Sequence, residues 1–232
     1  MTTDARLQVE IWSDVVCPFC YMGKRRLEGA LAQMTDPGGV EITWRSFQLQ
    51  PEARTDPTRS AVERLAAQKG WTMDFTRAAM ADVATRARPL GLELQLEKAV
   101  VANTFDAHRL AHFAASLGEG DAMQERLFRA YFVDGLNVGD EATLIALATD
   151  VGLRPDEARR VLADGGYALE VRRDIVEAAR LGIQGVPFFV FNRRYAVSGA
   201  QDTAVFLAAL QRSLEGRSDE AGAVCTTHGR CD

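Results

Sequence analysis

Two cysteines separated by two residues, Cys17 and Cys20, are the side chains in this sequence best suited to chemistry. They lie between an alternating run, Leu7 to Trp12, that predicts a strand, and a segment from Pro18 to Met34 that predicts a helix. A helix N-terminus favours the thiolate, the reactive form of cysteine, because unpaired N–H groups and the positive dipole end lie there. We therefore expect Cys17 to be the exposed attacking sulfur and Cys20, one turn further in, to be the resolving sulfur.

Three other interpretations of this cysteine pair are a static disulfide, half of a zinc site, and two unrelated core cysteines. A reducing compartment does not maintain a static disulfide. A zinc site has further ligands available near the end of the sequence, in Cys225, His228 and Cys231. A strand followed by Cys-Pro-Phe-Cys at the start of a helix is the context of a redox motif, so the sequence favours redox chemistry over zinc.

The composition is that of an ordinary globular protein, with 232 residues, 47% hydrophobic and 25% charged. A net charge of −5 without any basic block argues against nucleic acid and anionic membranes as partners. The four cysteines fall in two close pairs and are too few for a disulfide framework. No segment has the features of a signal peptide or a membrane span, so the expected location is the cytoplasm.

The pattern around the cysteines predicts a strand, a helix and a second strand in which Val40, Ile42 and Trp44 alternate. A helical crossover makes these two strands a parallel pair. The sequence then becomes helical in character over residues 57–182. The expected helices are Thr58–Lys69, Asp74–Ala87, Leu96–Ser116, Asp121–Val133, Glu141–Val151, Pro155–Asp164 and Leu169–Leu181.

Strand patterns return after the helical block, first in Val186–Phe191 and then in Tyr195–Val197. A last helix is expected over Thr203–Leu214. Without the helical block, the remainder is a small α/β unit with a short mixed sheet. The predicted organisation is a two-part domain, residues 1–56 and 183–214, with residues 57–182 inserted as a helical domain and residues 215–232 as a flexible tail.

The sequence resembles the thioredoxin-fold oxidoreductases of the DsbA family, and within them the cytoplasmic FrnE-like branch. Two segments carry the resemblance, Ser13–Lys24 around the cysteines and Gly185–Phe189. It extends from Leu7 to about Leu214 and implies an α/β protein, a thioredoxin fold with a large all-helical insertion between strand 2 and strand 3. It also implies a cis peptide bond before Pro187, beside Cys17, where backbone groups of Val186 bind an extended substrate chain.

The activity implied by this resemblance is that of a thiol–disulfide oxidoreductase or isomerase. The Cys17 thiolate attacks a substrate disulfide, Cys20 resolves the mixed disulfide, and Pro18 and Phe19 tune the reduction potential. The expected partners are protein thiols and disulfides, with glutathione as a candidate thiol partner and with no cofactor or metal. The alternatives are a glutathione-dependent isomerase or transferase of the kappa-like class and a zinc-stabilised binding module.

One position departs from the pattern of thioredoxin-like enzymes. These often carry a buried carboxylate six residues before the first cysteine, and here that residue is Ile11. Asp14 as a base and Lys24 as a positive charge are the nearest candidates for its role, although the sequence favours a solvated side chain for each. His108 and His112 share a helix face but lack a third metal ligand, and they are candidates to line the groove between the helical block and the thioredoxin core.

The second cysteine pair, Cys225 and Cys231, lies near the end of the sequence. The spacing and Gly229 make a disulfide geometrically feasible. Two interpretations are open, a second redox pair on a mobile arm that exchanges with Cys17 and Cys20, or incidental cysteines at a disordered end.

Overall fold

The computed structural model describes residues 6–35 and 39–221. Its strands are β1 (Leu7–Ser13), β2 (Val40–Ser46), β3 (Asp56–Ser60), β4 (Val100–Val101), β5 (Phe188–Phe191) and β6 (Tyr195–Ser198). Its helices are α1 (Pro18–Leu31), α2 (Ala61–Lys69), α3 (Met73–Ala87), α4 (Phe105–Ser116), α5 (Gly120–Arg129), α6 (Glu141–Asp150), α7 (Pro155–Ala163), α8 (Ala168–Arg180) and α9 (Thr203–Ala221). Short 3-10 turns cover Arg88–Leu90 and Leu96–Lys98, and one π-helical turn covers Ala130–Asp134.

A four-stranded sheet in the order β2-β1-β5-β6 forms the centre of the fold. Strands β1 and β2 are parallel along their whole length, with Leu7 opposite Val40 and Ser13 opposite Ser46. Strand β5 runs antiparallel to β1, and β6 runs antiparallel to β5. The predicted parallel pair with a helical crossover, inside a mixed sheet, is therefore confirmed, and so is the fold class of an α/β unit with a helical insertion.

Both faces of the sheet are covered, and β1 is buried on both sides as a result. On one face Ile11 and Phe189 pack against Phe206 of α9 and Leu27 of α1. On the other face Trp12 packs against Ala178 of α8 and Ile183. A strand covered in this way needs apolar residues on both of its faces. Ile11 thus belongs to the hydrophobic core.

The inserted segment contains a two-stranded sheet, β3 paired with β4, in addition to its helices. The helix expected from Thr58 begins at Ala61, because Ser60 caps its N-terminus by accepting a hydrogen bond from the Val62 N–H. The helix expected over Leu96–Ser116 is wrong in its first half. The β-branched pair Val100–Val101 forms β4 there, and α4 begins only at Phe105.

The last helix is longer than the sequence predicted. It continues past Leu214 to Ala221, so residues 215–221 are helical and the predicted start of a flexible tail at residue 215 is wrong. Cys225 and Cys231 lie outside the described residues. Among the helices that the structure describes, none is long and apolar enough to cross a membrane.

Candidate active site at the start of α1

The turn between β1 and α1 positions the cysteine pair. Cys17 is the N-cap residue of α1, and Pro18 occupies the first helical position, where the missing N–H costs nothing. The Cys17 N–H donates to the Asp14 carbonyl at 3.0 Å, and the Cys20 N–H donates to the Cys17 carbonyl at 3.0 Å. Both sulfurs are therefore carried on the first turn of the helix, which is the placement that the spacing predicted.

The two cysteines are both free thiols and both buried, with 5% of Cys17 and 1% of Cys20 exposed. The expectation of a solvent-exposed Cys17 is therefore wrong. The reason is the insertion, which covers the start of α1 and encloses a cavity of about 490 Å³ with Cys17 in its wall. Pro18 and Phe19 line the same cavity, and the Phe19 ring lies 5.5 Å from the guanidinium of Arg86 on α3. The residues between the two cysteines thus contact the insertion directly.

Val186 and Pro187 face the cysteine pair from the loop before β5. The Val186–Pro187 peptide bond is cis. The Cys17 thiol donates to the Val186 carbonyl with 3.5 Å between Sγ and O, and the Pro187 carbonyl accepts the Gly199 N–H at 2.8 Å. The structure therefore places Val186 and Pro187 beside the pair formed by Cys17 and Cys20.

Gly23 is a residue at this site whose role the sequence analysis missed. It lies on the face of α1 that meets the loop before β5. A Cβ atom at this position would be 3.0 Å from Cζ of Phe189 and 3.1 Å from Cγ of Pro187. Glycine therefore allows α1 to approach Pro187 closely. The sequence offered one signal for this, a glycine in a helix interior, where it costs about 1 kcal/mol relative to alanine without such a reason.

The environment of Cys20 keeps its thiol protonated. Burial raises the pKa of Cys20 well above its ordinary value, and the neighbouring Cys17 raises it further. The Ser13 hydroxyl and the Asp14 backbone act in the opposite direction but do not outweigh burial. A resolving cysteine in this position needs a group that takes its proton before it attacks.

Asp14 is buried behind the cysteine pair, which corrects the expectation that it is solvated. One carboxylate oxygen, Oδ2, accepts the Leu49 N–H at 2.7 Å. The other, Oδ1, lies 3.5 Å from Nε2 of His108, which is also buried. Neither Oδ1 nor Nε2 has a hydrogen-bond partner among the described residues. Asp14 and His108 thus form a buried pair next to the motif.

Lys24 is also buried, and the expectation that it is solvated is wrong. Its ammonium pairs with Glu28 of α1 and, at 3.0 and 3.5 Å, with Asp121 and Glu125 of α5. Burial alone would lower the pKa of Lys24, but the Asp121 and Glu28 carboxylates outweigh it and raise the pKa. Lys24 therefore joins α1 to α5 through its salt bridges with these three carboxylates.

His112, one turn after His108, contacts a different carboxylate. Its Nε2 lies 2.9 Å from Oδ2 of Asp174 and 3.1 Å from Oγ of Ser46. Asp174 also accepts the Ser46 N–H at 2.9 Å and pairs with Arg45 at 3.1 Å. These groups join α4 and α8 to the end of β2.

Within residues 6–35 and 39–221, no three histidine, cysteine, aspartate or glutamate residues are grouped so that they could hold a metal ion.

Comparison with known proteins gives one family and several related chains. The DSBA-like thioredoxin domain family matches residues 8–211. A probable DsbA oxidoreductase from Streptomyces coelicolor, SCO1869, is 39% identical, with a TM-score of 0.86 over 98% of this chain and 94% of that one. The uncharacterised protein YwbO of Bacillus subtilis strain 168 is 28% identical over 207 residues, 88% of this chain and 96% of YwbO. The cytosolic disulfide reductase DsbM of Pseudomonas aeruginosa, in a structure with GSH, shares the fold at 18% identity and a TM-score of 0.55, over 92% of this chain and 98% of that one.

Proposed function

The chain belongs to the DSBA-like thioredoxin domain family, and we propose that it is a thiol–disulfide oxidoreductase or isomerase with Cys17 as nucleophile and Cys20 as resolving thiol. The family supports thiol–disulfide exchange in general. The observation that carries the assignment to these residues is the placement of two free thiols on the first turn of α1, with Cys17 Sγ 3.5 Å from the Val186 carbonyl. SCO1869, described as a probable oxidoreductase, is similar over nearly the whole chain.

The proposed reaction has two exchange steps. The Cys17 thiolate attacks one sulfur of a substrate disulfide, a Cys17–substrate disulfide forms, and the other substrate sulfur leaves as a thiolate. Cys20 then loses its proton and attacks Cys17, which closes the Cys17–Cys20 disulfide and releases the second substrate thiolate. Two electrons pass from the protein to the substrate. The reverse sequence oxidises a dithiol, and both directions together reshuffle disulfides.

Substrate binding is proposed at the loop before β5. Val186 is half-buried and Pro187 is buried, so the loop offers backbone more than side chain to an incoming chain. An extended peptide that pairs with the backbone at Val186 would bring its disulfide to Cys17 by strand addition. Pro18 and Phe19, whose side chains line the cavity beside Cys17, are proposed to tune the reduction potential.

The cytoplasm is the proposed compartment, and residues 57–182 are the proposed inserted domain.

A glutathione-dependent isomerase or transferase of the kappa-like class is disfavoured by the intact cysteine pair, because such proteins commonly carry serine in place of the first cysteine. A zinc-stabilised module predicts thiols that are protected until a chelator is added. Thiol titration of the purified protein, before and after chelation, separates that alternative from a redox centre.

Substitution of each cysteine tests the proposal. Cys17→Ser is expected to abolish insulin reduction and disulfide reshuffling, because serine cannot form a disulfide. Cys20→Ser is expected to retain attack but to accumulate the mixed disulfide, which mass spectrometry detects. Full activity of Cys17→Ser would contradict the proposal.

The tail cysteines are tested separately, because Cys225→Ser with Cys231→Ser makes the same chemical change outside the motif. This double variant is expected to keep insulin reduction. A second redox pair at Cys225 and Cys231 is proposed to exchange with the Cys17–Cys20 centre, which predicts slower turnover in the double variant without loss of activity. Unchanged turnover would assign no redox role to the tail.

A further inference from the structure

The cavity beside Cys17 has the dimensions of a small-molecule site. Its volume is about 490 Å³. Pockets for small ligands span roughly 300–1,000 Å³. The start of α1 forms one side of the cavity, and α2, α3 and the π-helical turn of the insertion form the others. Its wall contains Cys17, so a molecule bound in it is next to the proposed nucleophile.

Most of the cavity wall is apolar. Leu65 of α2, Met80 and Val83 of α3, and Phe132 of the π-helical turn contribute to it. Burial of apolar surface stabilises a ligand by about 25 cal/mol for each Å² removed from water. The wall therefore favours a ligand with an apolar body, such as an aryl or branched alkyl group.

Large apolar side chains also line the cavity where it meets solvent. Leu49 and Trp71 are both part of the lining, yet they are 42% and 40% exposed. Phe75, which is 55% exposed, packs edge-on against Trp71 with 5.0 Å between ring centroids. Contiguous exposed apolar groups of this kind mark binding surfaces on proteins. The apolar character of the cavity thus continues to its opening.

The charged groups of the lining have a positive excess. Arg64 and Lys69 of α2 and Asp82 of α3 all line the cavity. Asp82 is paired with Arg86 at 3.5 Å. Arg64 donates to the side-chain oxygen of Gln50, but neither Arg64 nor Lys69 forms a salt bridge with a carboxylate among the described residues. Two cations are therefore available to an anionic group of a ligand.

From this combination we infer that the cavity binds a small disulfide or thiol that carries an apolar body and a carboxylate, and presents its sulfur to Cys17. The inference rests on the proposed function, because it uses Cys17 as the nucleophile. Cys17 attacks one sulfur of R–S–S–R, which forms Cys17–S–S–R and releases R–S⁻. Cys20 releases its proton to solvent, and its thiolate then displaces the second R–S⁻ and closes the Cys17–Cys20 disulfide. The protein is oxidised and the small disulfide is reduced by two electrons.

Glutathione fits this cavity less well than such a molecule does. It carries charges of both signs along a polar peptide backbone, and the cavity offers it two cations but few polar groups to replace lost water contacts. The cavity therefore favours an apolar carboxylate over glutathione.

A pair of aryl disulfides tests the charge requirement. The reduced full-length protein is mixed with bis(4-carboxyphenyl) disulfide or with bis(4-carbamoylphenyl) disulfide, and the released thiolate is followed by absorbance. The two probes have nearly the same shape and only the first carries charge. Each rate is divided by the rate of the same probe with dithiothreitol, because the substituent also changes the leaving thiolate. The carboxylate probe is expected to react about fivefold faster, in a salt-sensitive manner, because two partly exposed cations attract it.

Variants connect this preference to the cavity. Arg64→Gln with Lys69→Gln is expected to bring the two rates to parity. Arg159→Gln with Arg160→Gln, on α7 outside the lining, removes the same charge and is expected to preserve the preference. Trp71→Ser, at a residue that is 40% exposed, is expected to slow both aryl probes relative to glutathione disulfide.

Equal rates for the two probes in the unmodified protein, or a preference that survives Arg64→Gln with Lys69→Gln, would overturn the inference. In either case, loss of insulin reduction in Cys17→Ser would still support the proposed function. Insulin reduction that survives Cys17→Ser would overturn both.

Discussion

Nε2 of His108 lies 3.5 Å from Oδ1 of Asp14, three residues before the first cysteine of the motif. This separation is longer than an N–H···O hydrogen bond of roughly 2.7–3.2 Å, and both atoms are buried without a hydrogen-bond partner among the described residues. The pair joins α4 of the insertion to the turn that carries Cys17. Asp14 thus links the insertion to the cysteine motif, while its other oxygen holds the Leu49 N–H.

Replacement of Asp14 by alanine is expected to destabilise the protein. The Leu49 N–H would lose its carboxylate acceptor, and a hydrogen bond to a charged group contributes about 1.5–3 kcal/mol. Urea denaturation of the reduced protein measures the change in the free energy of unfolding. Asp164→Ala, at an exposed position after α7, is the control and is expected to stay within about 0.5 kcal/mol. An equal effect of the two substitutions would show that the Asp14 contacts contribute little.

Stability of the reduced protein is expected to fall in alkaline solution because of Cys20. Its pKa is raised in the folded state, so the folded protein holds the thiol proton at a pH where the unfolded chain has lost it. The stabilisation is present below the ordinary thiol pKa of about 8.5 and is lost as pH rises towards the folded value, by at most about 1.4 kcal/mol per pH unit.

Comparison with Cys20→Ser isolates this contribution, since other groups titrate in the same range. The free energy of unfolding of the two proteins is measured between about pH 8 and pH 10 under reducing conditions. The unmodified protein is expected to lose stability faster than the variant. Parallel curves would contradict the assignment to Cys20.

Gly23→Ala is expected to disturb the site while Gly29→Ala does not. At Gly23 a new Cβ would be 3.0 Å from Phe189 and 3.1 Å from Pro187, both of which are confined by the core. Overpacking of this kind costs about 1–3 kcal/mol and would push α1 away from the loop before β5. Insulin reduction should therefore slow together with a fall in melting temperature.

Gly29 provides the control within the same helix. A Cβ there would meet Thr203 at 3.5 Å, which is ordinary contact. Alanine is favoured over glycine in a helix interior by about 1 kcal/mol, so Gly29→Ala should leave stability unchanged or raise it. If Gly23→Ala behaves in the same way, close approach between α1 and Pro187 is not required.

The parts of the fold that depend on local sequence were predictable. The alternation in β1 and β2 and the cysteine spacing at the start of α1 required only neighbouring residues, and the structure has these elements close to the predicted positions. The break at Val100–Val101 was missed because those residues pair with β3, about forty positions earlier, and no local pattern reports that pairing.

The surroundings of the motif were harder to predict than the motif itself. Asp14 and Lys24 are charged residues near the surface by ordinary expectation. Their burial depends on His108 and Leu49 for the first and on Asp121 and Glu125 for the second, all distant in sequence. The burial of Cys17 has the same origin, since the insertion supplies the wall that covers it.

The contact between Phe19 and Arg86 joins a residue inside the cysteine motif to helix α3. Substrate choice and sulfur reactivity are therefore expected to be coupled through α3, because the inferred cavity and the surroundings of Phe19 share this helix. A chimera that receives α2 and α3 from a relative is expected to change both substrate preference and reduction potential with every cysteine unchanged.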